Sequence, residues 1–246
     1  MKSEEICYFC GEPKTTREHI PPRNITPKGD KYRNNYITVP SCDKHNTEKS
    51  HLDNKMAMFF CGTSSWVFED KDFKAKRDSV IRAVIRDNHL FNNQSKDSKI
   101  FRKKDTTPIL LSASNYNQEV NINYKEHKYY QECILRGLYF KENNKVWDGE
   151  LFIIPDSLIG FDETGDIFKS LFKMNEFRAS TSDTSNKTSK EKVFQHKKYQ
   201  VDNIIIIGVC IYMDYYFYGL FCDKENLNYL REMFHTTEEM MDFNSY

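Results

Sequence analysis

Hydrophobic and polar positions change rhythm along this chain, and the changes mark three zones. In residues 105–246, runs of Ile, Val, Tyr and Phe at 109–111, 119–124, 151–154, 204–212 and 215–221 have the length and composition of short strands. Among them, residues 129–140 carry Cys133, Ile134, Leu138 and Tyr139 at helical spacing. Residues 227–234 predict one more short helix. Residues 178–192 are a Ser/Thr/Asn/Lys stretch without a core position and predict a mobile loop. In residues 1–60, Leu52, Met56, Phe59 and Phe60 form an apolar helical face. Asn46, Ser50 and Asp53, at i, i+4 and i+7, form a polar one. Residues 61–104 read as helical and basic, with Val80, Ile81, Val84 and Ile85 as the apolar side. No internal repeat of roughly 20–50 residues is present. The expected class is α+β: an N-terminal module over 1–60, a basic helical segment over 61–104, and a mixed α/β region with an antiparallel sheet over 105–246.

The most apolar segment, Ile204 to Cys222, carries Asp214 in its middle. A membrane-spanning helix needs about 20 residues nearly free of charge. Two buried strands suit this segment better, and no membrane contact is expected. Residues Met1 to Glu5 lack the apolar stretch of a secretory signal, so a cytoplasmic protein with reduced or metal-bound cysteines is expected. A chain of 246 residues can bury one large core or two small ones. Lys+Arg 36 balance Asp+Glu 36, so the net charge points to no class of partner. The balance is not local. From Lys71 to Lys104, 11 Lys and Arg face four Asp, a surplus of +7. That stretch is a candidate phosphate-contacting surface, with an ordinary solvated helix face as the alternative. Tyr215, Tyr216 and Tyr218 have the chemistry to stack on bases, but their place in a buried strand predicts core packing.

The informative chemistry lies in the first sixty residues. Cys7 and Cys10 are separated by two residues and followed by Gly11, which favours a tight turn. Cys42 and His45 repeat the spacing about thirty residues later. Together they supply three thiolates and one imidazole, a full tetrahedral shell for structural zinc. Buried free thiols beside a surface histidine are the alternative. Cys61, Cys133, Cys210 and Cys222 have no partner at such spacing and are expected to be core thiols.

Between the two pairs lies Glu18-His19-Ile20-Pro21-Pro22. Val39-Pro40-Ser41 leads into Cys42, and Asn46 follows His45. This layout over residues 5–60 resembles the HNH endonuclease family, in its Glu-His-Ile-Pro-Pro form. The resemblance implies a β-hairpin and a helix around one catalytic metal. It implies His19 as general base and Glu18 and Asn46 as ligands of a catalytic Mg²⁺ or Mn²⁺. Cys7, Cys10, Cys42 and His45 would hold a separate structural zinc. A neutral imidazole takes a proton from water near its own pKa, and hard oxygen donors suit Mg²⁺, so these residue types fit phosphodiester hydrolysis. The expected substrate is DNA; RNA presents the same phosphates. By analogy the chain resembles small effectors of bacterial anti-phage defence. Two departures stand out. The acid is more often Asp than Glu. The family's middle Asn or His falls at Ile37, with Asn34 and Asn35 near but out of register. That second departure favours the alternative of a non-catalytic zinc module that binds nucleic acid or protein. Residues 105–246 are the expected contact for a protein partner or a second copy. Asp53 reads as a solvated acid and His51 as a surface histidine.

Overall fold

The strand Ile204–Ile211 is buried through its last six residues, so it is the middle of something. The computed structural model describes residues 5–33, 36–64, 67, 70–86, 100–102, 116–118, 124–155, 176–181, 187–201 and 203–223. In chain order the elements are β1 (Thr16–Ile20), a 3-10 turn (Arg23–Ile25), α1 (Asp30–Arg33), β2 (Ile37–Ser41) and α2 (Ser50–Thr63). A second 3-10 turn (Lys71–Phe73) leads into α3 (Lys74–Arg86), then β3 (Ile100–Arg102), β4 (Tyr116–Gln118) and α4 (Tyr124–Asn143). Last come β5 (Glu150–Pro155), α5 (Ser189–Val193), β6 (Phe194–Val201), β7 (Ile204–Ile211) and β8 (Tyr215–Cys222). The fold is therefore mixed helix and strand with antiparallel sheets, as the rhythm of the sequence predicts.

The largest sheet runs β5-β8-β7-β6, every pair antiparallel. Both faces of β7 and β8 are covered, which is why their sequences are almost continuously apolar. One face receives α4. Gly219 makes room there for the whole head of Leu135, whose carbons would lie 2.8 Å from an added Cβ. The Tyr139 and Phe221 rings stack on that face at 5.1 Å. On the other face Phe177 lies over Gly208, among Ile154, Ile206, Tyr218 and Leu220. One apolar cluster runs from Cys7, Ile20 and Met56 in the hairpin and α2 to Leu135, Val209 and Phe217 at the sheet.

The β7–β8 turn fastens the sheet to the first sixty residues. Tyr212 and Met213 both take positive φ, 53° and 63°, which L side chains adopt at some expense. Tertiary contacts hold them there. The Tyr212 hydroxyl donates to the Ile25 carbonyl and lies 3.1 Å from the Cys61 sulfur. Its ring meets Phe73 edge-on. Ser64 Oγ donates to Asp214 Oδ2 at 2.5 Å across the same junction. A partly buried Lys55–Glu126 ion pair links α2 to α4.

Several sequence expectations shift. The helix expected over 129–140 is α4, longer at both ends, and it takes in Tyr124 from the run at 119–124. Residues 178–192 are not loop throughout. Helical turn covers 176–181, and α5 opens on a capping box in which Thr188 and Glu191 satisfy each other's backbone. The Ser/Thr richness that suggested a loop holds this helix start. Strand β6, Phe-Gln-His-Lys-Lys-Tyr-Gln-Val, has no run of apolar residues, because it is a sheet edge with only Phe194 and Tyr199 buried among its side chains with described burial. Asn46 belongs to a chain of turns before α2, not to the helix. Tyr215, Tyr216 and Tyr218 pack within the fold, and Cys61, Cys133, Cys210 and Cys222 are buried thiols, both as expected. Residues 109–111, 119–123 and 227–234 lie outside the described residues. Among the described residues no helix is long and apolar enough to cross a membrane.

The Gly219–Leu135 contact gives a stability test. Gly219→Val should destabilise the protein by about 1–3 kcal/mol through overpacking. Adding Leu135→Ala should recover part of that loss, because the two changes share one space. Denaturant unfolding of the two single variants and the double variant measures it; additive losses would contradict the packing described.

Candidate functional site

Two short turns bring four ligand atoms together. After Cys7 the chain closes so that the Gly11 N–H reaches the Cys7 carbonyl at 3.0 Å, with Gly11 at φ 77°. The second turn begins as β2 ends, where the His45 N–H meets the Cys42 carbonyl at 3.2 Å. The ligand atoms of Cys7, Cys10, Cys42 and His45 all lie within 4.8 Å of one another. Ideal tetrahedral zinc with its usual bond lengths separates two sulfurs by about 3.8 Å and a sulfur from a nitrogen by about 3.6 Å. Cys10 and Cys42 sulfurs are 3.8 Å apart, Cys7 Sγ is 3.7 Å from His45 Nδ1, and Cys42 Sγ is 3.2 Å from it. The Cys₃His set thus fits a structural metal ion such as zinc. The surroundings act on the ligands unequally: burial, with the neighbouring Cys7 and Cys42 thiols, pushes Cys10 up to about 11. Burial pushes the Cys7 thiol up, but backbone N–H groups of Cys10, Phe9 and Cys42 outweigh it and lower its pKa. Burial, with Lys44 nearby, keeps His45 below the usual histidine range and so neutral. Phe9 stacks on the His45 ring at 4.3 Å, and the Arg136 guanidinium covers Phe9.

The hairpin beside this cluster carries the other singled-out residues. Alternation along β1 puts Thr16, Glu18 and Ile20 on one face and Arg17 and His19 on the other. Asn46 sits at the free edge of β1. Pro40, opposite Arg17, has no N–H, and its carbonyl accepts from Tyr8 N–H instead, so the Arg17 carbonyl turns away from β2. Asn46 Nδ2 donates to that carbonyl at 3.1 Å and to Thr16 Oγ1 at 3.0 Å. Asn46 therefore reaches the Thr16–Glu18 face, with its carboxamide oxygen left for another partner.

Glu18 is only 3% exposed. Its Oε1 lies 3.7 Å from the Lys49 ammonium, which bonds Asp53 Oδ1 at 2.6 Å. Asp53 is thus a buried, paired acid and not the solvated one expected. Two buried carboxylates share one ammonium. Burial pushes Glu18 up to about 7, against the pull of Lys49 and with a further push from Asp53. Burial also raises Asp53. Lys49 stays charged, because Asp53 and Glu18 outweigh the burial that would lower it. Among the described residues, Glu18 Oε2 and the Tyr130 hydroxyl are buried with no hydrogen-bond partner, and the Tyr8 hydroxyl meets only the Cys133 thiol. Lys49 was the residue missed in the sequence; its spacing of four from Asp53 was the available sign.

His19 is half-buried, edge-on to Tyr36 with ring centroids 5.5 Å apart. The Arg23 guanidinium covers the same Tyr36 ring at 5.9 Å. Burial first, then Arg23, lowers the His19 pKa, so the imidazole is neutral and ready to accept a proton at physiological pH. Ile37 pairs with Ile20 and packs against the core, so no polar side chain stands at that position; Asn34 and Asn35 lie outside the described residues. His51 is exposed, as expected. Within the basic stretch, Lys76 donates to the Asn24 carbonyl, and Arg82 is exposed; Lys103 and Lys104 lie outside the described residues. No family model, curated protein or solved structure matches this chain.

The cluster predicts about one tightly held zinc per chain after reductive purification. Cys42→Ser should release it and lower the melting temperature, since the ligand pairs tie the two ends of the hairpin together. Elemental analysis that finds no zinc in the wild-type protein contradicts the assignment.

Proposed function

We propose that this chain is a metal-dependent endonuclease of the HNH kind that hydrolyses phosphodiester bonds in DNA. The observation that carries this reading is His19. It is a neutral, half-buried imidazole on a hairpin beside a Cys₃His cluster, next to the guanidinium of Arg23. In this role His19 accepts the proton of the attacking water. A histidine held neutral by burial and a nearby cation is suited to that step, and the same cation attracts a phosphate.

In this reading Glu18 and Asn46 would hold a second, catalytic ion. Glu18 Oε2 is a buried oxygen without a partner, and Asn46 directs its amide nitrogen to β1 and keeps its oxygen free of that bond. Both are hard donors of the sort Mg²⁺ or Mn²⁺ takes. When bound, such an ion supplies charge stabilisation for the phosphate and its leaving oxygen. Lys49 holds the other Glu18 oxygen and so fixes the carboxylate's orientation. His19 and Glu18 leave β1 on opposite faces, so the scissile phosphate would lie along the strand edge that Asn46 occupies.

His19→Ala tests the reading against a purely binding zinc module. It should slow cleavage of plasmid DNA by about 10²- to 10⁴-fold, while zinc content, melting temperature and DNA affinity stay near wild type. Cleavage at the wild-type rate by the variant would remove His19 from the base role. DNA binding with no cutting by wild type in Mg²⁺ or Mn²⁺ would leave the binding module as the reading.

A further inference from the structure

A cleft of about 250 Å³ opens where the hairpin meets the end of the sheet. Ile20, Pro21, Tyr32 and Tyr36 line it from the first sixty residues, and Phe194, Gln195 and His196 of β6 line it from the other side. At about 30 Å³ per water, it has the space of about eight waters. That is room for one flat heterocycle of about ten heavy atoms.

The walls have the chemistry of a base site. Tyr36, Phe194 and His196 supply ring surfaces, and Tyr32 forms a buried floor against Phe73. Polar groups stand at one side. Burial holds His196 below the usual histidine range, so its ring offers one donor and one acceptor. Gln195 alternates with Phe194 and His196, and its amide turns to Lys187 and Met213 on the other face of the sheet. The cleft also adjoins His19 through one shared residue. Tyr36 is both a wall of the cleft and the ring against which His19 stands edge-on, and Arg23 covers it. A base stacked on Tyr36 would place its own phosphate beside His19 and a guanidinium.

Resting on the nuclease reading, we propose that this cleft receives one unpaired nucleobase of the substrate strand, so that the enzyme acts on single-stranded or locally unpaired nucleic acid. A base within an intact duplex would have to leave its stack to enter, which takes a few kcal/mol of unpairing and favours mismatched or single-stranded sites. Stacking on an aromatic side chain is tolerant of base identity, so little sequence preference follows.

The test uses the full-length, zinc-loaded chain in the absence of Mg²⁺ and Mn²⁺, so that binding is read without cutting. Fluorescent oligonucleotides compare a single strand, a duplex with one unpaired base and a fully paired duplex; a nucleoside monophosphate serves as competitor. The single strand and the duplex with an unpaired base should bind about tenfold or more tighter than the paired duplex. His196→Ala, which removes one ring and the polar edge of the cleft, should weaken that preference several-fold with zinc content and melting temperature near wild type. Tyr36→Trp should keep the preference and Tyr36→Leu should weaken it. Equal affinity for paired and unpaired wild-type substrates, or a preference that survives His196→Ala in full, overturns the proposal. A mononucleotide that binds as tightly as the strand overturns it too, in favour of a small-molecule site. The nuclease reading fails separately: a protein that prefers unpaired bases yet never cuts when Mg²⁺ is restored keeps the cleft and loses the catalytic role of His19.

Discussion

The architecture of the first sixty residues depends on one constraint: four side chains from two distant turns must meet around a volume the size of a single metal ion. Cys7 and Cys10 stand before β1, and Cys42 and His45 stand just after β2. Bringing them together closes the hairpin at its open end and fixes where α2 begins. A two-stranded hairpin is marginal in water by itself. This one carries Glu18 buried at its centre, which makes it weaker still. A metal ion held by this cluster would supply free energy that the apolar contacts of so short a hairpin do not, at the end where the strands would otherwise fray.

The electrostatic arrangement under the hairpin follows from that closure. Once α2 is fixed, Lys49 at its start faces Glu18 and Asp53 in a nearly dry environment. A buried pair that is internally balanced is a common structural device. Here two carboxylates share one ammonium, burial pushes Glu18 up to about 7, and among the described residues one Glu18 oxygen and the Tyr130 hydroxyl have no hydrogen-bond partner. Buried polar atoms left in that state are uneconomical for stability and are most common where a protein does chemistry. The sheet region positions the rest. Tyr212, held at positive φ, reaches from the β7–β8 turn to the Ile25 carbonyl, and this contact sets β6 opposite Tyr36 and so forms the cleft.

The sequence was most legible where chemistry restricts residue type. Two Cys/His pairs at a spacing of two were readable because few structural roles require them. The middle strands β7 and β8 were legible for a different reason: burial on both faces leaves an unbroken apolar run. What was hidden depended on partners far along the chain. Asp53 looked solvated because its burial is set by Lys49, Glu18 and the packing of α4, none of which its own helical face reveals. Strand β6 was hidden because an edge strand needs only two buried side chains, and its Lys, Gln and His residues gave no alternation. Helix α5 was hidden because a capping box uses the same Ser, Thr and Lys residues that fill loops. The cleft beside Tyr36 was out of reach, since its two walls lie more than a hundred and fifty residues apart.

The most direct measurement of the central claim is the chemistry of the cut ends. Water attack that expels the 3′ oxygen, with His19 taking the proton, must leave a 3′-hydroxyl and a 5′-phosphate. Zinc-loaded wild-type protein incubated with supercoiled plasmid in Mg²⁺ should yield nicks of that kind, sealable by a DNA ligase without prior end repair. No nicking with either Mg²⁺ or Mn²⁺, or nicks that carry 3′-phosphate ends, would contradict the account.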